Sequence, residues 1–169
     1  MNSAELLTDA FTRIRDIVAR SVDGLSPDQL AARPNGTANS IAWLVWHLTR
    51  IQDDHIAEVA GKKQVWLKAG WAERFELPFD PADHGYGHTS EQVAAVQPKS
   101  GDLLIGYHDA VYQQTVRYLQ NLLDADLDRI VDTSWNPPVT LGVRLVSVIS
   151  DDLQHAGQAA YAAGLLKLG

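Results

Sequence analysis

Apolar residues recur at three- and four-residue steps through four long stretches of the chain, the spacing of a helix with one buried face. Leu6, Leu7, Ala10, Phe11, Ile14, Ile17, Val18 and Val22 predict a first helix over 3–22, with Ser3 placed to cap it and Gly24 just past its end. Ser26-Pro27-Asp28-Gln29-Leu30 reads as a short capped turn of helix, with proline at the first helical position, and Arg33-Pro34-Asn35-Gly36 as a turn. Asn39 or Ser40 then caps a second helix that runs to about Ala60 and stops at Gly61. Leu103, Leu104, Tyr107, Val111, Thr115, Tyr118, Leu119 and Leu122 mark a third helix over 100–123. The fourth runs over 140–166. No strand alternation is visible.

Between the second and third helices lies a long connection, 61–98, carrying Trp66, Trp71, Phe75, Phe79 and the turn-rich Asp80-Pro81 and His84-Gly85-Tyr86-Gly87-His88. A connection of that length inside a compact domain is usually functional or holds short helices of its own, and Ser90-Glu91-Gln92-Val93 has the look of one. Trp135-Asn136-Pro137-Pro138 is a second loop, placed to cover one end. The predicted fold class is all-α: a four-helix bundle with short helices in the long loop, as one domain over 1–169.

Composition narrows the function. A net charge of −7, with no run of Lys or Arg, argues against a nucleic-acid partner. No stretch approaches the roughly 18 apolar residues of a membrane span, and the N-terminus lacks the pattern of a signal peptide. A cytoplasmic protein with small-molecule partners is expected. The chain has no cysteine, which excludes disulfides, thiolate ligands and a cysteine nucleophile. Any thiol chemistry must use a thiol from outside.

Polar residues inside the apolar helices are the candidates for chemistry. Asp151 and His155, four apart on the fourth helix, share a face. His47 is the lone internal histidine of the apolar run Ala42-Trp43-Leu44-Val45-Trp46-His47-Leu48. Two histidines and a carboxylate make a three-ligand set that leaves positions open for water or substrate. Plainer readings exist for each: a buried histidine held by a carbonyl, or a helix-surface pair contributing about 0.2–0.5 kcal/mol. Asp152 competes with Asp151 as the carboxylate, and His55, eight residues after His47, is the substitute ligand. His84 and His88 read as solvated loop residues and His108 as a surface residue of the third helix. Trp43 reads as core. Trp46, Trp66, Trp71 and Trp135 read as walls of an apolar pocket.

The helix-two run with His47 and the helix-four run Asp151-Asp152-Leu153-Gln154-His155-Ala156-Gly157-Gln158, with its lead-in Pro138-Val139-Thr140-Leu141-Gly142-Val143-Arg144, resemble the DinB/YfiT-like superfamily of metal-binding four-helix bundles. That superfamily holds a divalent metal, often nickel or zinc, through one histidine of helix two and a His-x-x-x-His pair of helix four. His47 and His155 match, while Asp151 stands at the remaining position, as in a branch of the superfamily with an acidic residue there. The resemblance implies His47, Asp151 and His155 as both metal ligands and catalytic centre. Zinc is the expected ion, with nickel, manganese and iron(II) as alternatives, a carboxylate favouring the harder ions.

The resemblance also implies a detoxification-type S-transferase, or an isomerase, that uses mycothiol, bacillithiol or glutathione against an electrophile. Nine arginines against five lysines, in an Ala/Asp-rich chain, hint at a GC-rich bacterial genome and tilt the choice to mycothiol. Arg50, one turn beyond His47, is a candidate to bind a carboxylate of the thiol or to pair with Asp54. Gln158 and Trp46 are candidates to contact ligand or substrate. Two other classes stand beside this one. The first is a hydrolase or isomerase using metal-bound water, with Asp152 or His55 as base. The second is a non-catalytic bundle that binds a metal or an apolar ligand. A homodimer fits any of them.

Overall fold

The computed structural model describes residues 1–168 and is built on four long helices. They are α1 (Ser3–Val22), α3 (Ile41–Ala60), α7 (Gly101–Leu119) and α8 (Leu141–Leu168). The short helices α2 (Pro27–Ala31), α4 (Val65–Lys68), α5 (Trp71–Phe75) and α6 (Ser90–Ala94) lie in the connections. α1 and α3 occupy opposite corners, each packed between α7 and α8. The all-α bundle expected from periodicity is the fold observed.

Local signals set the boundaries. Asn2, rather than Ser3, caps α1: its Oδ1 accepts from the Glu5 amide and Glu5 Oε2 accepts from its own, both at 2.9 Å. The same reciprocal arrangement joins Ser26 with Gln29 ahead of α2, and Thr89, one residue before the expected Ser90, with Gln92 ahead of α6. Ser40 caps α3 and Ser100 caps α7. Gly61 ends α3 in the left-handed conformation that a glycine adopts without strain. α7 stops at Leu119, four residues short of the predicted end, and the chain turns through a 3₁₀ segment, Asp124–Asp128. A short antiparallel ribbon follows, β1 (Ile130–Asp132) with β2 (Val139–Thr140), where no strand was expected. Strands of three and two residues are too brief to leave an alternation in sequence.

Every residue of α3 from Ile41 to Arg50 is buried. A helix enclosed on all sides needs partners all round. α7 and α8 supply two of its sides; α2, from the connection before it, and α4, from the long connection after it, cover more. The long connection is therefore part of the bundle's core. Val65, Trp66, Phe75 and Val93 from it are buried together with Phe11, Ile14, Leu104, Leu145 and Val148.

Candidate metal centre

His47 projects from the enclosed stretch of α3, and Asp151 and His155 from the facing side of α8. Each of the three offers one ligand atom, and these atoms all lie within 4.8 Å of one another. Among the described residues searched, no other such group forms. Asp152 points elsewhere: it is wholly buried and neither carboxylate oxygen has a partner. Around the helix Asp151 lies about 40° to one side of His155 and Asp152 about 60° to the other, and the Asp151 side is the one that meets His47. His55, also outside the group, sits beside Arg144 (Nη1 to Nδ1 3.4 Å) and near Glu58.

Hydrogen bonds orient both imidazoles. His47 Nδ1 lies 2.5 Å from the carbonyl oxygen of His84, so it carries the proton and donates it, leaving Nε2 with a free lone pair. His155 Nδ1 lies 3.1 Å from Gln158 Oε1, and its Nε2 faces Asp151 Oδ1 at 3.6 Å. In each ring the nitrogen away from the triad is held by an oxygen acceptor, the arrangement that fixes tautomer and raises basicity in metal-ligating histidines. Asp151 Oδ2 is buried with no partner. Two imidazole nitrogens and a carboxylate oxygen within 4.8 Å, on a carboxylate with an unpartnered oxygen, fit a divalent cation.

The electrostatics agree. Burial holds the His47 pKa below the usual imidazole value, so the ring is neutral and able to ligate. The carboxylate of Asp151, 3.6 Å from Nε2, raises that of His155. Burial pushes Asp151 upward, but the neighbouring His155 outweighs it and holds the carboxyl below its ordinary range.

A loop from the long connection closes over His47. Gly85 has φ +93° and lies so near that a Cβ there would stand 2.8 Å from His47 Nδ1 and 2.9 Å from the Trp46 ring. Only glycine suits that backbone and that approach. Asp83 Oδ1 accepts from the Gly85 amide at 2.8 Å, and Oδ2 accepts from His88 Nε2 at 3.0 Å. His88 Nδ1 in turn accepts from Trp43 Nε1 at 3.1 Å. Indole N–H only donates, so the proton of His88 is on Nε2. Trp43 stacks on His47 with centroids 4.6 Å apart and planes 14° off parallel, which returns the circuit to the triad.

The remaining expectations divide. His88 is not solvated; its side chain is 3% exposed. His108 is not a surface residue but is buried against Thr49 Oγ1 at 3.0 Å. Trp43 is core, as expected, and also touches the triad. Trp46 and Trp66 line a cavity of about 190 Å³ with Ala72, Leu77, Phe79 and Pro81. Trp71 packs on Tyr107 and under Arg74, whereas Trp135 is 67% exposed. Arg50 is wholly buried, and its nitrogens serve the carbonyls of Asp83 and Pro81 and Gln64 Oε1. Gln64 bridges it to Asp54, so the expected direct pair is not formed. Asp83 and Gly85 escaped sequence reasoning. The Asp-His-Gly-Tyr-Gly-His run was conspicuous, but its partners on α3 are remote in sequence.

A family model described as Mycothiol-S-transferase matches residues 6–166. The chain belongs to the mycothiol S-transferase family. The match takes in all four long helices and both halves of the triad. The crystal structure of a conserved protein from Enterococcus faecalis superposes with a TM-score of 0.92 at 30% identity, over 100% of this chain and 99% of that one. No curated protein matches the chain. Among the described residues, no helix is long and apolar enough to cross a membrane.

Proposed function

We propose that this protein is a metal-dependent S-transferase that joins mycothiol to an electrophilic small molecule. The observation that carries the reading is the paired orientation of His47 and His155, each with Nδ1 held by an oxygen and Nε2 free, grouped with the carboxylate of Asp151. His47, Asp151 and His155 would hold a divalent cation, zinc by preference, which when bound favours thiolate over thiol near neutral pH.

The chain's own residues do the rest. His84 and Gln158 hold the ligand rings in one tautomer, and Trp43 fixes the His47 plane. Asp151 brings one negative charge to the centre. A chain without cysteine cannot form a mixed disulfide with its own co-substrate. In the reaction a carbon–sulfur bond forms and the thiol gives up its proton to solvent. An alkylating agent expels its leaving group with the electron pair of the broken bond, whereas a Michael acceptor breaks its C=C π bond and takes a proton from solvent at the α-carbon.

The test is a screen of zinc-loaded protein with mycothiol, bacillithiol and glutathione against alkylating and Michael-acceptor electrophiles, following the conjugate by mass. Conjugation that is fastest with mycothiol and lost in His155→Ala is the expected result. Failure with every thiol, or turnover of an ester without any thiol, would set the reading aside.

A further inference from the structure

A second cleft, of about 460 Å³, lies between the C-terminal ends of α3 and α7, where α4 and the 124–129 segment meet them. Lys62, Lys68, Arg117 and Arg129 line it. They are four of only 14 basic residues in a chain of net charge −7. Arg13, Arg15, Lys99 and Arg144 are each neutralised by a carboxylate, but none of these four makes a salt bridge among the described residues. The cleft's one acidic lining residue, Asp126, gives Oδ2 to the backbone amide of Leu123 at 2.9 Å.

Its neutral polar groups are donors as well. Lys68 Nζ donates to Gln114 Oε1, which leaves Gln114 Nε2 buried with no acceptor. A buried donor without an acceptor carries a cost that an incoming anion would remove. Asn121 adds an amide. The Tyr118 hydroxyl accepts from Arg129 Nη2 at 3.3 Å, which leaves its own proton free to donate. Ala60, Leu122 and the Tyr118 ring supply a small apolar wall. Uncompensated cations around neutral donors suit a multiply charged oxyanion, which guanidinium groups grip by two parallel hydrogen bonds and ammonium groups as point charges. The volume falls in the range of small-molecule sites and the cleft is concave, so a soluble ligand fits better than a flat bilayer.

We infer that this cleft binds a small organic phosphate, at a site separate from the metal centre. Ala60 stands 13 residues beyond His47, about 20 Å along the helix axis, and the cleft opens on the α3–α7 side whereas the triad joins α3 to α8.

Calorimetric titration of the full chain with glycerol 3-phosphate and with pyrophosphate tests this, with glycerol as the uncharged control. Saturable binding of the phosphates and none of glycerol is expected. A Lys68→Gln/Arg117→Gln double variant should bind at least tenfold more weakly, and Lys99→Gln, a charge removed elsewhere, less than twofold. Absence of saturable phosphate binding in the wild type overturns the inference. So does a double variant that binds like wild type, or equal weakening by Lys99→Gln, which would reduce the effect to net charge.

Discussion

Two faces of α3 each bury a histidine among polar neighbours, and they are built to opposite ends. On the α8 side, His47 meets Asp151 and His155, and their donor atoms converge within 4.8 Å. On the α7 side, Thr49 meets His108 and Gln52 meets Thr115, pairwise and without convergence; His108 Nε2 and Gln52 Oε1 end with no partner. Both faces pay a desolvation cost. Only the first assembles lone pairs around a common point and holds them there with hydrogen bonds on the outer nitrogens. Buried polarity alone therefore does not mark a site; convergence with external orientation does.

The largest effect that would sharpen this contrast is on metal affinity. Replacing His47 or His155 by Ala should weaken zinc binding on the order of 1,000-fold, since only two ligands remain. Thr49→Val, on the other face, should leave it unchanged. Competition with a chromophoric chelator measures both, and comparable losses on the two faces would erase the distinction.

The α7 face should instead be visible in acid. Burial first, opposed by Asp109, lowers the His108 pKa from 6.5 to about 4. The folded state thus binds fewer protons than the unfolded one between those values. Its contribution is intact above pH 6.5 and is lost as pH falls toward 4, by about 3 kcal/mol in full. Urea unfolding of the metal-free protein at pH 7 and pH 4.5 should show a smaller acid loss in His108→Gln than in wild type. Equal losses would mean that this ring does not resist protonation.

Next in size is the loop that orients His47. In Gly85→Ala the added carbon would meet His47 Nδ1 and the Trp46 ring, at a φ that alanine rarely adopts. A loss of 10–100-fold in zinc affinity is expected, as for other groups that orient a ligand. His88→Phe breaks the links to Trp43 and Asp83 and should lose less. The smallest effect concerns Asp152, whose unpartnered carboxyl is held above its ordinary pKa by burial and then by Asp151. Asp152→Asn should stabilise the fold by about 1 kcal/mol in thermal melts and keep the metal. Loss of metal there would return Asp152 to the ligand set.

How far the sequence alone revealed this follows the range of the interactions. The cap at Ser26, the Asn39-or-Ser40 cap of α3 and the glycine stop at Gly61 are local and legible, and the cap of α1 falls one residue before the expected Ser3. Asp151 and His155 are four apart on one helix, so their pairing was legible too, and the apolar run around His47 announced its burial. The loop was not: His47 reaches His84 37 residues away, and Trp43 reaches His88 45 away. Nothing local reports such a contact. His108 is buried, against the surface position its polarity suggests, because it falls on one helical stripe with Leu104, Val111 and Thr115. α7 ends before the predicted 123 because Leu122 and Leu123 continue its apolar pattern after the chain has turned.

The most direct test is X-ray absorption at the zinc edge on loaded protein, before and after mycothiol is added. A shell fitted by two imidazoles and one carboxylate oxygen, joined on thiol addition by sulfur at about 2.3 Å, is predicted. An imidazole count other than two, or no sulfur neighbour at saturating thiol, would contradict it.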